Sequence, residues 1–284
     1  MMTQTRLASR RPFSLPPAMY AGLGLVGAIA LLAVVGPLFW QWTPTQRTGL
    51  LIAPPSPSHW LGTDEEGFDT LARLLAGARV ALIVGPGTAL LSALIGLVLG
   101  SAAGYAGGWL DRAITWLADL LLCFPGVLLA LLVAFVSDRP GLGTVVLALS
   151  ATGWAGHARL VRVLVSSARE RDFAVAARCL GASHPRVLLV HVLPEALGPV
   201  AVQATFSVAA GVLGEASLSF LGVGAQGVVS WGAMLEQGTA LLLQSPLVVL
   251  SSGLSLLALV TGVNLLGDAL RDLLDPRRPG STAN

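Results

Sequence analysis

The stretch Met19-Tyr-Ala-Gly-Leu-Gly-Leu-Val-Gly-Ala-Ile-Ala-Leu-Leu-Ala-Val-Val-Gly-Pro-Leu-Phe-Trp40 contains no charged residue. A helix of about 20 apolar residues spans the hydrocarbon core of a bilayer and satisfies its own backbone hydrogen bonds there. Arginines precede the run, as in a secretory signal peptide, but the run is too long for one and no small-residue cleavage site closes it. The stretch therefore predicts a retained transmembrane helix over 19–40.

Similar apolar runs recur along the rest of the chain. Five of them follow, at about 80–104, 113–136, 142–158, 197–218 and 245–268. Of the 284 residues 54% are hydrophobic and 11% are charged, whereas about a quarter of the residues in a soluble domain are charged. The sequence predicts an all-helical, polytopic membrane protein with about six transmembrane helices.

The basic residues indicate the orientation in the membrane. All 17 are arginine. If the N-terminus is inside, thirteen lie on the cytoplasmic side and four lie outside, namely Arg47, Arg73, Arg79 and Arg139. Cytoplasmic loops carry the excess of positive charge. We therefore expect cytoplasmic tails over 1–18 and 269–284, an extracytoplasmic segment over 41–78, and an even number of spans.

The composition argues against several other classes of protein. Two cysteines, Cys123 and Cys179, allow neither a disulfide framework nor a cysteine-based metal site. The histidines lack the spacing of metal ligands, and no catalytic motif is present. A net charge of +2 is too small to suggest binding to nucleic acid. We predict no catalytic, metal or cofactor site in this chain.

The inner segment between the fourth and fifth spans, 159–196, is the most charged part of the chain. Its alanine-rich sequence before Cys179 favours a helix, Gly181 is a natural stop, and Pro185 fits the first turn of a second helix. Ala174, Ala177 and Gly181 recur at three- and four-residue spacing, which predicts a small-residue stripe that another surface could approach. A surface helix that merely links two spans is the alternative.

The inner segment also resembles a known loop. Ala176-Ala-Arg178, Gly181-Ala-Ser183 and His191-Val-Leu-Pro194 are similar to the cytoplasmic "EAA" loop of binding-protein-dependent ABC importer permeases. In that family the loop docks on the ATP-hydrolysing subunit. The resemblance implies an ATPase-coupling loop over about 172–191, with coupling residues Ala174, Ala176, Ala177, Gly181 and Ala182. The usual glutamate of the family is replaced by Val175.

Other blocks resemble the dipeptide, oligopeptide and nickel permeases, and in particular the C-type subunit. They are Leu61–Asp69, Phe124-Pro-Gly126, Gly214–Gly222, Ser230-Trp-Gly-Ala-Met234 and Asn264–Arg277. The resemblance implies a type I ABC importer transmembrane domain over 79–268, with five helices and the coupling loop within 159–196.

The resemblance also implies partners and a location. These are a second homologous permease in a heterodimer, two ABC ATPase subunits, an extracytoplasmic substrate-binding protein, and the lipid of a bacterial cytoplasmic (inner) membrane. ATP would be used by the ATPases, since a chain without lysine has no G-x-x-x-x-G-K-[ST] phosphate loop. The implied cargo is di- or oligopeptides, with nickel or another small solute as the alternative.

Two carboxylates fall within predicted spans. An ionisable group inside the bilayer marks a pathway or a buried pair. Glu215 and Asp119 are therefore candidates for lining the pathway, although Glu215 could bond Ser217 or Ser219, and Asp119 could pair with Arg112 or Arg159. An ion-coupled secondary transporter, the lowest-ranked alternative, would need such groups in two matching repeats, and these two are not obviously repeated.

Glycine recurs every fourth residue along the second span, at Gly96, Gly100, Gly104 and Gly108. Such a ladder lets two helices pack backbone to backbone. We expect packing against a helix of the same chain, with contact to a partner permease as the alternative.

Overall fold

The computed structural model describes residues 16–136 and 140–274, and within these ranges the regular structure is helical. Most of both predicted tails and Arg139 lie outside the described residues. The helices are α1 Pro17–Phe39, α2 Thr70–Ala106, α3 Gly108–Cys123, α4 Gly126–Phe135, α5 Leu142–Ala168, α6 Asp172–Cys179, α7 His184–Arg186, a π-helical stretch Val187–Val192, α8 Leu193–Phe220, α9 Trp231–Thr239 and α10 Pro246–Leu274. The all-helical class is confirmed.

Four helices in the described part of the chain are long and apolar enough to cross a membrane: α1, α2, the continuous helix His184–Phe220, and α10. The pair α3 and α4 adds a fifth span if the two count as one. Helix α5 has 27 residues and is about 40 Å long at 1.5 Å per residue. It is less apolar because its inner half carries His157, Arg159 and Arg162, and counting it gives the sixth expected span.

The apolar run 113–136 is not one continuous helix. It breaks at Phe124 and Pro125, where α3 and α4 meet at an angle of 92°. Phe124 has φ −97° and ψ 144°, the extended conformation that a following proline imposes. The apolar pattern on either side did not indicate this break, which follows from the Phe-Pro-Gly sequence.

Helices α2 and α5 form the centre of the bundle, and they meet along the glycine ladder. A Cβ atom on Gly100 would lie 2.5 Å from the Ala158 carbonyl oxygen, and one on Gly104 would lie 2.6 Å from the Arg162 carbonyl oxygen. Packing within the same chain is thus confirmed for Gly96, Gly100 and Gly104. Gly108 does not belong to the ladder, since it begins α3 with φ +61° and has no atom within 4 Å of its would-be Cβ.

The outer segment between α1 and α2, residues 40–69, folds around the buried carboxylate of Asp69. Its Oδ1 accepts hydrogen bonds from Trp40 Nε1 at 2.9 Å and from the Ala72 backbone N–H at 2.8 Å, and Oδ2 lies 2.8 Å from His59 Nδ1. Asp69 is therefore also the N-cap of α2. Helix α2 begins at Thr70, within the predicted segment 41–78, whose bounds relative to the membrane stay a prediction.

Candidate coupling loop and membrane site

The inner segment is a helix, a turn and a second helix, as predicted. Helix α6 ends at Cys179, Gly181 adopts φ +83°, and Pro185 lies in the first turn of α7. Helix α5 continues into the predicted segment 159–196 and ends at Ala168. Arg159 and Arg162 therefore belong to α5 rather than to a loop.

Helix α6 buries one side against its own chain. Ala174 is completely buried in a cluster with Val165, Val187 and Val192, and Ala177 and Ala182 pack against the edge of that cluster. In the small-residue stripe of Ala174, Ala177 and Gly181, the chain itself covers Ala174, whereas Gly181 is exposed, and their role in coupling stays a prediction. Spacing along a helix identifies a face but not what covers it, and here the small residues let α6 approach the helices of its own chain.

The opposite side of α6 presents apolar side chains to the surroundings. Leu180 is 89% exposed, Val175 40% and Phe173 37%. Ala176 and Gly181 are exposed beside them. We call Phe173, Val175, Ala176 and Leu180 the α6 exposed face. Apolar side chains grouped on an exposed face are typical of a surface that contacts another protein.

Polar contacts attach α6 and α7 to three long helices. Arg171 Nη1 donates to Glu195 Oε2 of α8 at 2.8 Å, and Arg178 Nη2 donates to the carbonyl oxygen of Arg169, which follows α5, at 3.1 Å. On the other side, Tyr105 Oη of α2 lies 3.2 Å from His184 Nδ1. These contacts connect α6 to α8 and to the end of α5, and they connect α7 to α2.

Both intramembrane carboxylates have partners. Arg159 Nε donates to Asp119 Oδ1 at 3.1 Å, which is one of the two pairings foreseen, and both side chains are about half exposed. Glu215 is buried and accepts a hydrogen bond from Ser219 Oγ at 2.6 Å. The structural alternatives for both residues thus have observed contacts, and a pathway role for either stays a prediction.

A cavity of about 280 Å³ lies between α2, α4, α5 and α8. Four hydroxyl residues line it, Thr88, Ser92, Thr152 and Ser207. No sequence pattern indicated this cavity, because hydroxyl residues are common in apolar helices and these four come from three helices that are distant in the chain.

Residues 96–279 match the model of a protein family described as "Binding-protein-dependent transport system inner membrane component". The chain belongs to this family. The match includes α5 through α10 and the whole inner segment, so the resemblance noted for the "EAA" loop is confirmed at the level of the family. A multi-pass inner-membrane component agrees with the number of apolar helices described above.

Several curated relatives cover most of this family member. A dipeptide transport system permease protein of Alkalihalophilus pseudofirmus is 36% identical over 90% of the chain and 84% of the relative. An oligopeptide transport system permease protein of Bacillus subtilis is also 36% identical, with the same coverage. A nickel transport system permease protein of Escherichia coli is 37% identical over 87% of the chain and 91% of the relative. The chain is thus an ABC importer permease of the peptide and nickel group.

Proposed function

We propose that the chain forms half of the translocation pathway of an ATP-driven importer for di- or oligopeptides. A second, homologous permease would supply the other half in a heterodimer. Two ABC ATPase subunits and an extracytoplasmic substrate-binding protein would complete the importer. The observation that carries the proposal is the α6 exposed face, an apolar surface on a helix that contacts α8 and the end of α5.

The coupling mechanism follows from these contacts. An ATPase would dock on the α6 exposed face and would move α6 when ATP binding closes the two ATPases. Because Ala174 is packed into the cluster that α5 and α8 share, α6 would not slide independently, and the movement would reorient those helices. The small residues would thus pack α6 against its own chain. Val175 would offer the ATPase an apolar contact where the family's usual glutamate would offer an ionic one.

The chain itself would bind neither ATP nor another cofactor, and the ATPase subunits would hydrolyse ATP. Both termini would lie in the cytoplasm of a bacterium, since that orientation places thirteen arginines inside. It also places α6 on the side where ATP is available, and places the folded outer segment where the binding protein delivers substrate.

Peptide is the proposed cargo, with nickel or another small solute as the alternative. Relatives named for peptide transport and for nickel transport have nearly the same identity to this chain, so similarity alone does not choose between the two.

The proposal is tested by purification and uptake. A tag at the C-terminus, with mild detergent extraction from the native membrane, should recover a second permease, two ATPases and a binding protein. The reconstituted complex should import labelled alanine peptides of two to five residues, and Ni²⁺ should not compete. Import of Ni²⁺ alone would favour the nickel alternative, and recovery of the chain without ATPases from an intact preparation would contradict the coupling assignment.

A further inference from the structure

The cavity between α2, α4, α5 and α8 contains hydroxyl groups without partners. Thr88 and Ser92 are one helical turn apart on α2, and they are 5% and 1% exposed. Among the described residues, neither Thr88 Oγ1 nor Ser92 Oγ has a hydrogen-bond partner. A buried hydroxyl without a partner costs stability, so native proteins seldom keep one unless water or a ligand satisfies it.

The rest of the lining is small and uncharged. Thr152 Oγ1 bonds the Leu149 carbonyl oxygen, and Ser207 Oγ bonds the Gln203 carbonyl oxygen. Several of the remaining lining residues are glycine or alanine. No lining residue is acidic, basic, histidine or cysteine. A metal ion would find none of the ligands it prefers in proteins, whereas hydroxyls both donate and accept hydrogen bonds, as an amide group requires.

The cavity also has a suitable size and position. A dry cavity of about 150 Å³ accepts benzene, so 280 Å³ is enough for a solute of dipeptide size. Ser207, Ala210 and Gly211 lie midway along α8, which places the cavity within the membrane-embedded part of the bundle. Gly126 lies at the α3–α4 break and forms part of the lining, so a change in that bend would alter the cavity.

We propose that this cavity is a binding subsite for the amide groups of a peptide during its passage, with Thr88 and Ser92 as the hydrogen-bonding residues. The inference rests on the proposed function, since it assumes that peptides are the cargo. It adds a place within this one chain where the cargo is held.

Labelling of single cysteines tests the subsite without measuring transport. In the complete importer with Cys123→Ser and Cys179→Ser, Ser92→Cys should react with a water-soluble methanethiosulfonate, and dialanine should slow that reaction at least fivefold. Ser101→Cys is the matched control, because Ser101 is also buried on α2 with an unpartnered hydroxyl but does not line the cavity. It should show no protection.

Two labelling results would overturn the subsite. Equal labelling of Ser92→Cys with and without alanine peptides would show a cavity that holds only water, and no labelling would show a dry cavity. Both are distinct from failure of the proposed function, in which the wild-type importer would not import alanine peptides at all.

Import by the reconstituted complex gives a second test. Thr88→Val removes the hydroxyl and keeps the shape of the side chain, and it should raise the KM for alanine peptides about tenfold. Ser101→Ala should leave the KM unchanged. If the Thr88 hydroxyl is only an unsatisfied group in the interior, its removal will raise thermal stability and leave the KM unchanged, which would contradict the proposal.

Discussion

At Gly100, α2 and α5 touch through their backbones. The space that a Cβ atom would occupy is filled by the carbonyl oxygen and Cα of Ala158. A backbone atom cannot move aside as a flexible side chain can, so even a methyl group would push the two helices apart. The packing of the central pair of helices thus depends on individual glycines.

Replacement of this glycine tests that dependence. Gly100→Val should destabilise the protein by about 1–3 kcal/mol, the usual cost of overpacking, seen as a lower melting temperature in detergent. Gly156→Val on α5 is the control, because no atom lies within 4 Å of the Cβ position there. Equal melting temperatures for the two variants would contradict the close approach of α2 and α5.

Gly181 is constrained by its backbone conformation and not by space. It has φ +83° and no atom within 4 Å of its Cβ position. Gly181→Val should strain the turn after α6 by about 1–3 kcal/mol and reduce ATPase association about tenfold, with membrane insertion intact. Gly181→Asn should retain most association, since asparagine tolerates positive φ. Co-purification with the ATPases measures both, and normal uptake by the valine variant would contradict the coupling role.

At the scale of elements, the structure of the outer segment depends mainly on one residue, Asp69. Asp69 holds Trp40 from the end of α1, His59 from the middle of the segment, and the first turn of α2. Removal of its carboxylate leaves three donors without an acceptor. The outer segment and the start of α2 therefore form one cooperative unit.

Substitution at this position should have a large effect. Asp69→Ala should lower the free energy of unfolding by about 3 kcal/mol, because the N-cap is lost and buried donors are left unpaired. Proteolysis of the outer segment in right-side-out vesicles should accelerate accordingly. Glu65→Ala, which removes an exposed acidic side chain of the same segment, should have no effect. Equal proteolysis of the two variants would show that Asp69 does not organise the segment.

Sequence patterns predicted the positions of helices and turns better than they predicted the contacts between helices. Apolar runs and the Ala, Gly and Pro positions of the inner segment predicted the long helices, the turn at Gly181 and the role of Pro185, because these are local effects. The break at Phe124 was missed, although its Phe-Pro-Gly sequence is a local signal too. The burial of Ala174 and the cavity at Thr88 and Ser92 depend on contacts between distant helices, which no local pattern contains.

At the scale of the whole molecule, the number of membrane spans depends on whether α5 crosses the membrane. Without it, the apolar helices give at most five spans, and an odd number would place the two termini on opposite sides of the membrane. With α5, six spans place both termini on the same side. The arginines of its inner half reduce its hydropathy, but they pair with Asp111 and Asp119 of α3.

The location of the C-terminus distinguishes the two counts. A fluorescent protein fused after Asn284 should be fluorescent in the cytoplasm, and alkaline phosphatase fused there should be inactive. The same phosphatase inserted near Leu50 in the outer segment should be active, as a control for export. Phosphatase activity at the C-terminus would mean that α5 does not cross the membrane.

The π-helical stretch at the start of α8 has a consequence for how the chain tolerates changes in length. The Leu193 N–H bonds the carbonyl oxygen of Leu188, five residues earlier, and a turn closed in this way holds about one residue more than an α-helical turn. Loss of one residue between 187 and 192 would convert that turn to an ordinary one, and the rest of α8 would keep its register. This stretch is thus a place where evolution could delete a residue without disturbing the membrane helix that follows.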